Sequence, residues 1–159
     1  MNISLKNKNA IVCGSTQGIG EASAIALAKL GANITLIARN ESKLLEVLND
    51  LDKSQGQTHS FIAIDFRDSE KLKEEVNLLT SNYHILVNNT GGPAAGPITD
   101  ANTSSFEKAF RMHVINNQIL VQKLVEGMKK ERYGRIVNII STSVKAPIAG
   151  LGVSNTIRA

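Results

Sequence analysis

Five short runs of this chain are apolar along almost their whole length: Ala10–Cys13, Asn33–Ala38, Phe61–Ile64, Ile85–Val87 and Arg135–Ile140. A strand wetted on one face alternates apolar with polar residues, whereas a strand covered on both faces does not. Between the runs lie stretches whose apolar residues recur at the helical steps of three and four. They comprise Ile19, Ala22, Ser23, Ala26, Leu27 and Leu30, then Leu44, Val47, Leu48 and Leu51, then Leu72, Val76 and Leu79. Buried strands alternating with helices predict an α/β chain with a doubly wound parallel sheet. Gly31 stands where a helix end favours a left-handed residue. A longer helical region runs from about Thr103 to Arg132, with a break near His113 and Gly134 as its stop. It is apolar on more than one side, so one side can pack on the sheet and another can meet a partner subunit. A last helix begins at Val153 and runs to Ala159.

Composition narrows the function classes. With 159 residues, 42% hydrophobic and 20% charged, the chain suits one folded domain spanning residues 1–159. No apolar run is long enough for a bilayer, and Met1–Lys6 lacks a leader's apolar stretch, which argues against a membrane. The one cysteine, Cys13, has no partner for a disulfide, which points to the cytoplasm. A net charge of +4 would suit nucleic acid only with clustered cations and aromatics, and aromatics are 4%. Lys129, Lys130 and Arg132 sit at a helix end, where cations complement the dipole. His59, His84, His113 and Cys13 have no metal-ligand spacing.

The first strand runs into Gly14-Ser15-Thr16-Gln17-Gly18-Ile19-Gly20, a glycine turn that opens a helix. Such a turn brings backbone N–H groups and the positive helix end close to a pyrophosphate. By itself the pattern also suits a purely steric turn. Three further signals accompany it. Asp65 ends the third strand, Asn88-Asn89-Thr90-Gly91 follows the fourth, and Gly134-Arg135-Ile136-Val137-Asn138-Ile139 opens the fifth. With these motifs the chain, from about Leu5 to Ala159, resembles the short-chain dehydrogenase/reductase family, particularly its ketoacyl-reductase-like members.

The resemblance implies a Rossmann-type fold with a nicotinamide dinucleotide site. Gly14, Gly18 and Gly20 would wrap the pyrophosphate, with Ser15, Thr16, Gln17 and Ile19 in the same turn. Asp65 and Phe66 would border the adenine, and Asn89, Thr90 and Gly91 would pass under the nicotinamide half. After the second strand, where an acidic residue would favour NAD(H), the chain has Arg39, whose planar cation suits a 2′-phosphate. NADP(H) is therefore favoured over NAD(H), although a solvated Arg39 remains the alternative reading.

The resemblance also implies a Ser, Tyr, Lys and Asn that reduce or oxidise a carbonyl/alcohol carbon. Ser141 matches the Ser, but the Tyr place holds Ser154 and the Lys place Arg158. The Asn place falls on His113, with Asn116 reachable by a slipped alignment. A phenol titrates at about 10 and can be tuned downward, whereas a serine hydroxyl is far too weak an acid. His113 is the one matched group that titrates near neutrality, so it is the candidate proton donor, through Ser154 or a water. The alternative is an ordinary helix histidine. Two functions stay open: an NADP(H)-dependent oxidoreductase for a small ketone or 3-oxoacyl-type carbonyl/alcohol substrate, or a non-catalytic dinucleotide-binding sensor or interaction module. A homo-oligomer is the expected assembly. Family chains continue with further strands, a nicotinamide loop and a substrate lid, so a fragment lacking its C-terminal strands is expected.

Overall fold

The computed structural model describes residues 3–158; Met1, Asn2 and Ala159 lie outside the described residues. The apolar runs become five strands: β1 (Asn9–Cys13), β2 (Asn33–Ala38), β3 (Ser60–Ala63), β4 (Ile85–Asn88) and β5 (Arg135–Asn138). All pair in parallel, in the order β3-β2-β1-β4-β5. Successive residues of β1 point to opposite faces. Ala10 and Val12 join one core layer with Ile34, Leu36, Ala24, Ala28 and Leu44. Ile11 and Cys13 join the other with Ile37, Leu86, Leu72, Leu120 and Leu124. Both faces of β1, β2 and β4 are covered, which is why these strands carry no polar alternation. Burial pushes the Cys13 thiol up to about 12, so the group is inert.

Strand ends differ slightly from the sequence reading. β3 stops at Ala63, although the Ile64 N–H still donates to Ala38 O at 2.8 Å, and Asp65 belongs to the turn beyond. β5 stops at Asn138 and lies at the sheet edge, with Ile136 and Val137 exposed.

Among the described residues six α-helices connect and flank the strands: α1 (Gly18–Lys29), α2 (Glu41–Asp50), α3 (Ser69–Asn77), α4 (Thr103–Phe110), α5 (Asn116–Lys130) and α6 (Gly152–Ile157). The buried face of α1 is not the one predicted. Gly20, Ala24 and Ala28 face the sheet, while Ile19 is 59% exposed and Ala22 and Ala26 face solvent. Small residues let the helix lie close to β1, an approach that a row of isoleucine and leucine would prevent. At its end, Gly31 N–H donates to Ala28 O and Ala32 N–H to Leu27 O, with Gly31 at φ +98°. That is the expected left-handed cap.

In α5 the buried stripe is Asn116, Leu120, Leu124 and Met128. The stop differs from the one expected. Arg132, at φ +52°, takes the cap position, with Tyr133 N–H donating to Met128 O at 3.0 Å. Gly134 instead packs against Met128, whose side chain a Cβ there would meet at 2.8 Å. The break expected near His113 is real: residues Arg111–Ile115 form a π-helical turn between α4 and α5. Such bulges recur at functional sites because they redirect one side chain.

His84 and His59 are structural. His84 Nδ1 accepts the Asn9 N–H at 3.0 Å, and its Nε2 lies 2.6 Å from Glu131 Oε2. His59 Nδ1 accepts the Ile34 N–H at 3.1 Å. Among the described residues no group of His, Cys, Asp and Glu could hold a metal, and no helix is long and apolar enough to cross a membrane.

Candidate active site

The chain moves outward from β1 through β2 to β3, then returns to the other side of β1 with β4. The connections therefore diverge beyond the C-terminal ends of β1 and β4, the place where open parallel sheets bind ligands. A cavity of about 590 Å³ opens there, lined by the glycine turn and the strand-end residues of β2, β3 and β4.

The turn is built by close approach. A Cβ on Gly14 would lie 2.6 Å from Asn89 O, and one on Gly20 at 2.2 Å from Gly14 O. Asn89 Nδ2 donates to Cys13 O and Gly14 O, both at 3.3 Å, tying the end of β4 under the turn. Gly18, at φ +58°, differs: nothing lies within 4 Å of its Cβ position. It borders open cavity. Asn40, Asp68 and Asn102 cap α2, α3 and α4 with their own side chains, whereas Gln17 gives α1 no side-chain cap. The first N–H groups of α1 thus lack a side-chain acceptor, as an anion site requires.

Of the residues picked from sequence, Gly14, Thr16, Gln17, Gly18, Ile19, Arg39, Asp65, Phe66, Asn89, Thr90 and Gly91 line this cavity. Ser15 and Gly20 do not. The Ser15 side chain is fully buried and points back toward Ile37 O at 3.5 Å. Gly20 serves the close packing just described. Asn40, Lys43, Arg67, Gly92 and Met112 line the cavity as well and were not picked out. Lys43 and Arg67 are exposed cations with no motif to flag them, although they follow Arg39 and Asp65 closely in the chain.

The charges around the cavity are unequal. Asp65 is engaged by Arg67, whose Nε lies 3.0 Å from Oδ2, and that bond holds its carboxyl below the usual range. Arg39 is exposed and forms no ion pair among the described residues. The cavity's β2 end is therefore left with free positive charge from Arg39 and Lys43.

A second cavity, of about 510 Å³, lies between the loop after β4, α4 and the start of α6. Pro93, Pro97, Ala109, Met112, His113 and Val153 contribute to its wall. Met112 lines both cavities. His113, presented by the π-helical turn, faces Thr90 of the first cavity, with Nδ1 3.0 Å from Thr90 Oγ1. Its Nε2 is buried with no partner. Burial, then the charge of Arg158, pull its pKa below the ordinary value, against a hydrogen bond to the Gly91 backbone.

The remaining picks are less tightly joined. Arg158 reaches Ile139 O through Nη2 at 3.5 Å, and its Nε is buried and unpartnered. Ser154 is 4% exposed, and no hydrogen bond links its hydroxyl to His113 among the described residues. Ser141 accepts from the Ser143 N–H and lies 2.8 Å from the Ser143 hydroxyl, as the cap of the short turn after β5. Asn116, reached by the slipped alignment, is fully buried: it donates to Phe66 O at 2.6 Å and accepts from Ser69 Oγ at 2.7 Å. Both its oxygen and its nitrogen are committed to packing α5 on the turn after β3.

Residues 8–153 match the model of a family described as short chain dehydrogenase. A 7alpha-hydroxysteroid dehydrogenase of Clostridium sardiniense is 36% identical over 90% of this chain and 56% of its own. A 3-ketodihydrosphingosine reductase of Mus musculus is 30% identical over 93% of this chain and 47% of its own. The crystal structure of L-sorbose reductase from Gluconobacter frateurii, complexed with NADPH and L-sorbose, superposes with a TM-score of 0.89. It is 28% identical, over 99% of this chain and 61% of the other. The chain thus spans about half the length of the curated relatives it matches.

Proposed function

The chain belongs to the short-chain dehydrogenase family, and from that premise we propose that it binds NADP(H) beyond β1 and β4 and serves as an oxidoreductase for a ketone or 3-oxoacyl-type carbonyl/alcohol substrate in the cytoplasm. One observation carries the reading: α1 begins without a side-chain cap, at a glycine that opens on the 590 Å³ cavity. The residues present fit a dinucleotide. A side chain at Gly18 would fill the cradle, and the first-turn N–H groups of α1 suit a pyrophosphate. Ile19, exposed on the cavity wall, would be covered by the ligand. Unpaired Arg39, with Lys43 beside it, supports a 2′-phosphate and hence NADP(H). L-Sorbose reductase, with NADPH bound, supports the same choice by likeness.

A bound reduced nicotinamide supplies hydride to the carbonyl carbon. The chain must then hold a proton for the carbonyl oxygen. With Nδ1 of His113 held by Thr90 and the ring beside the Gly91 backbone, the buried Nε2 has no partner among the described residues and is the nitrogen left to exchange that proton with a substrate. Ser141 would orient the substrate oxygen, and Ser154, with Arg158, would complete the polar wall. NADPH oxidation with a panel of ketones and 3-oxo esters tests this; turnover should collapse in His113→Ala while NADPH binding stays.

A second reading, a dinucleotide-binding module without turnover, draws on the missing hydrogen bond between Ser154 and His113. NADPH binding with no oxidation of NADPH by any carbonyl compound would favour it.

A further inference from the structure

Arg158 is a permanent cation in an unusual position. It is half-buried, its Nη1 lies 3.4 Å from the Cβ position of Gly92, and no carboxylate pairs with it among the described residues. The edge of the guanidinium made by Nε and Nη2 is almost free, since Nε has no partner and Nη2 has only Ile139 O at 3.5 Å. A buried donor without an acceptor is costly and rare, and its usual explanation is a partner from outside the chain. Two parallel N–H groups on one planar edge match the two oxygens of a carboxylate.

From this we propose that Arg158 is a carboxylate receptor, and that the carbonyl compound taken by this site is an oxo acid. Ester- or alcohol-bearing ketones without a negative charge would be taken less well. A single ammonium at the same place would attract an anion only as a point charge; the guanidinium edge adds the paired geometry of a carboxylate. The half-exposure of Arg158 lets its long side chain turn that edge toward a ligand. His113, which feels the Arg158 charge, lies close enough to sense whether that charge has been neutralised.

The proposal rests on the oxidoreductase reading only in calling the carboxylate a substrate's. The experiment titrates the full chain, with and without NADPH, with acetoacetate and pyruvate and with their methyl esters. The readout is the Arg158 Nε–H proton resonance, assigned by its loss in Arg158→Lys. Both acids should shift it saturably and bind at least tenfold more tightly than the esters. Arg158→Met should bind acid and ester alike, and Arg158→Lys should fall between. Because Met removes a half-buried charge that no carboxylate pairs with among the described residues, Arg158→Met should melt no lower than the parent, which keeps the comparison valid. Equal binding of acid and ester by the parent overturns the proposal. So does an Nε–H signal that NADPH alone saturates, since the residue would then hold the cofactor's ribose. A chain that binds acetoacetate through Arg158 but not NADPH keeps the receptor and loses the oxidoreductase.

Discussion

Thr90 and His113 face each other across the boundary between the two cavities, their Oγ1 and Nδ1 atoms 3.0 Å apart. The pair links the turn after β4 to the π-helical turn at Arg111–Ile115. Among the described residues, the one imidazole with a buried, unpartnered nitrogen is therefore held by a residue of the first cavity while its ring lines the second.

That imidazole has a pH signature. Its pKa in the folded chain lies below the ordinary histidine value, through burial first and then Arg158. The unfolded chain therefore binds the proton more readily, and stability falls as pH drops from about 6.5 into the window below it. Above that window His113 is neutral in both states and contributes no pH dependence. Urea unfolding between pH 5 and pH 8 should show this slope in the parent and a smaller one in His113→Asn. Arg158→Met should bring the NMR titration midpoint of His113 upward.

Two glycines of the turn should separate by experiment. Gly20→Ala meets Gly14 O at 2.2 Å, so it should lower stability by about 1–3 kcal/mol, measured by chemical unfolding. Gly18→Ala meets nothing within 4 Å and bears only the left-handed backbone cost of about 1–2 kcal/mol. It should nonetheless weaken NADPH binding at least tenfold, because the added methyl occupies the cradle. Gly18→Ala with unchanged NADPH affinity would remove the α1 terminus from the site.

Cofactor choice can be read from Arg39. A charge-assisted hydrogen bond to phosphate is worth about 1.5–3 kcal/mol, or on the order of 10- to 100-fold in affinity. Arg39→Ala should weaken NADPH by that factor and leave NADH within about twofold, by isothermal titration. Lys43→Ala should act in the same direction with a smaller effect, since its side chain is fully solvated.

Asn116 supplies the contrast to His113. Asn116→Ala leaves Phe66 O and Ser69 Oγ without their buried partner, so it should cost about 1–3 kcal/mol in unfolding free energy. Its NADPH affinity and any turnover at a temperature where it is folded should match the parent. A selective loss of turnover in Asn116→Ala would mean that the slipped alignment, not His113, marks the functional position.

Much of the architecture was legible because it depends on local chemistry. Runs such as Asn33–Ala38 lack polar alternation, Gly31 meets a backbone need for positive φ, and the glycine turn at Gly14 is a matter of spacing. The α1 face was misread because the periodicity rule rewards large apolar side chains, while close contact with β1 selects Gly20, Ala24 and Ala28. The stop of α5 was misread because a glycine stood nearby. Arg132 adopts the left-handed cap in its place, since Gly134 is needed against Met128.

The sequence by itself determined the strand and helix order, the spacing of the glycine turn, and the presence of Ser154 and Arg158 where the family resemblance implies a tyrosine and a lysine. Those properties are covalent or repeat within a few residues of chain. Only the tertiary structure decided that Asn89 braces the glycine turn, that Ser15 faces inward, and that His113 bonds Thr90 while Ser154 does not bond it. Each of these joins residues far apart in the chain or sets a side chain's direction, and such relations exist only once the sheet has brought β1 and β4 side by side and the π-helical turn has aimed its histidine.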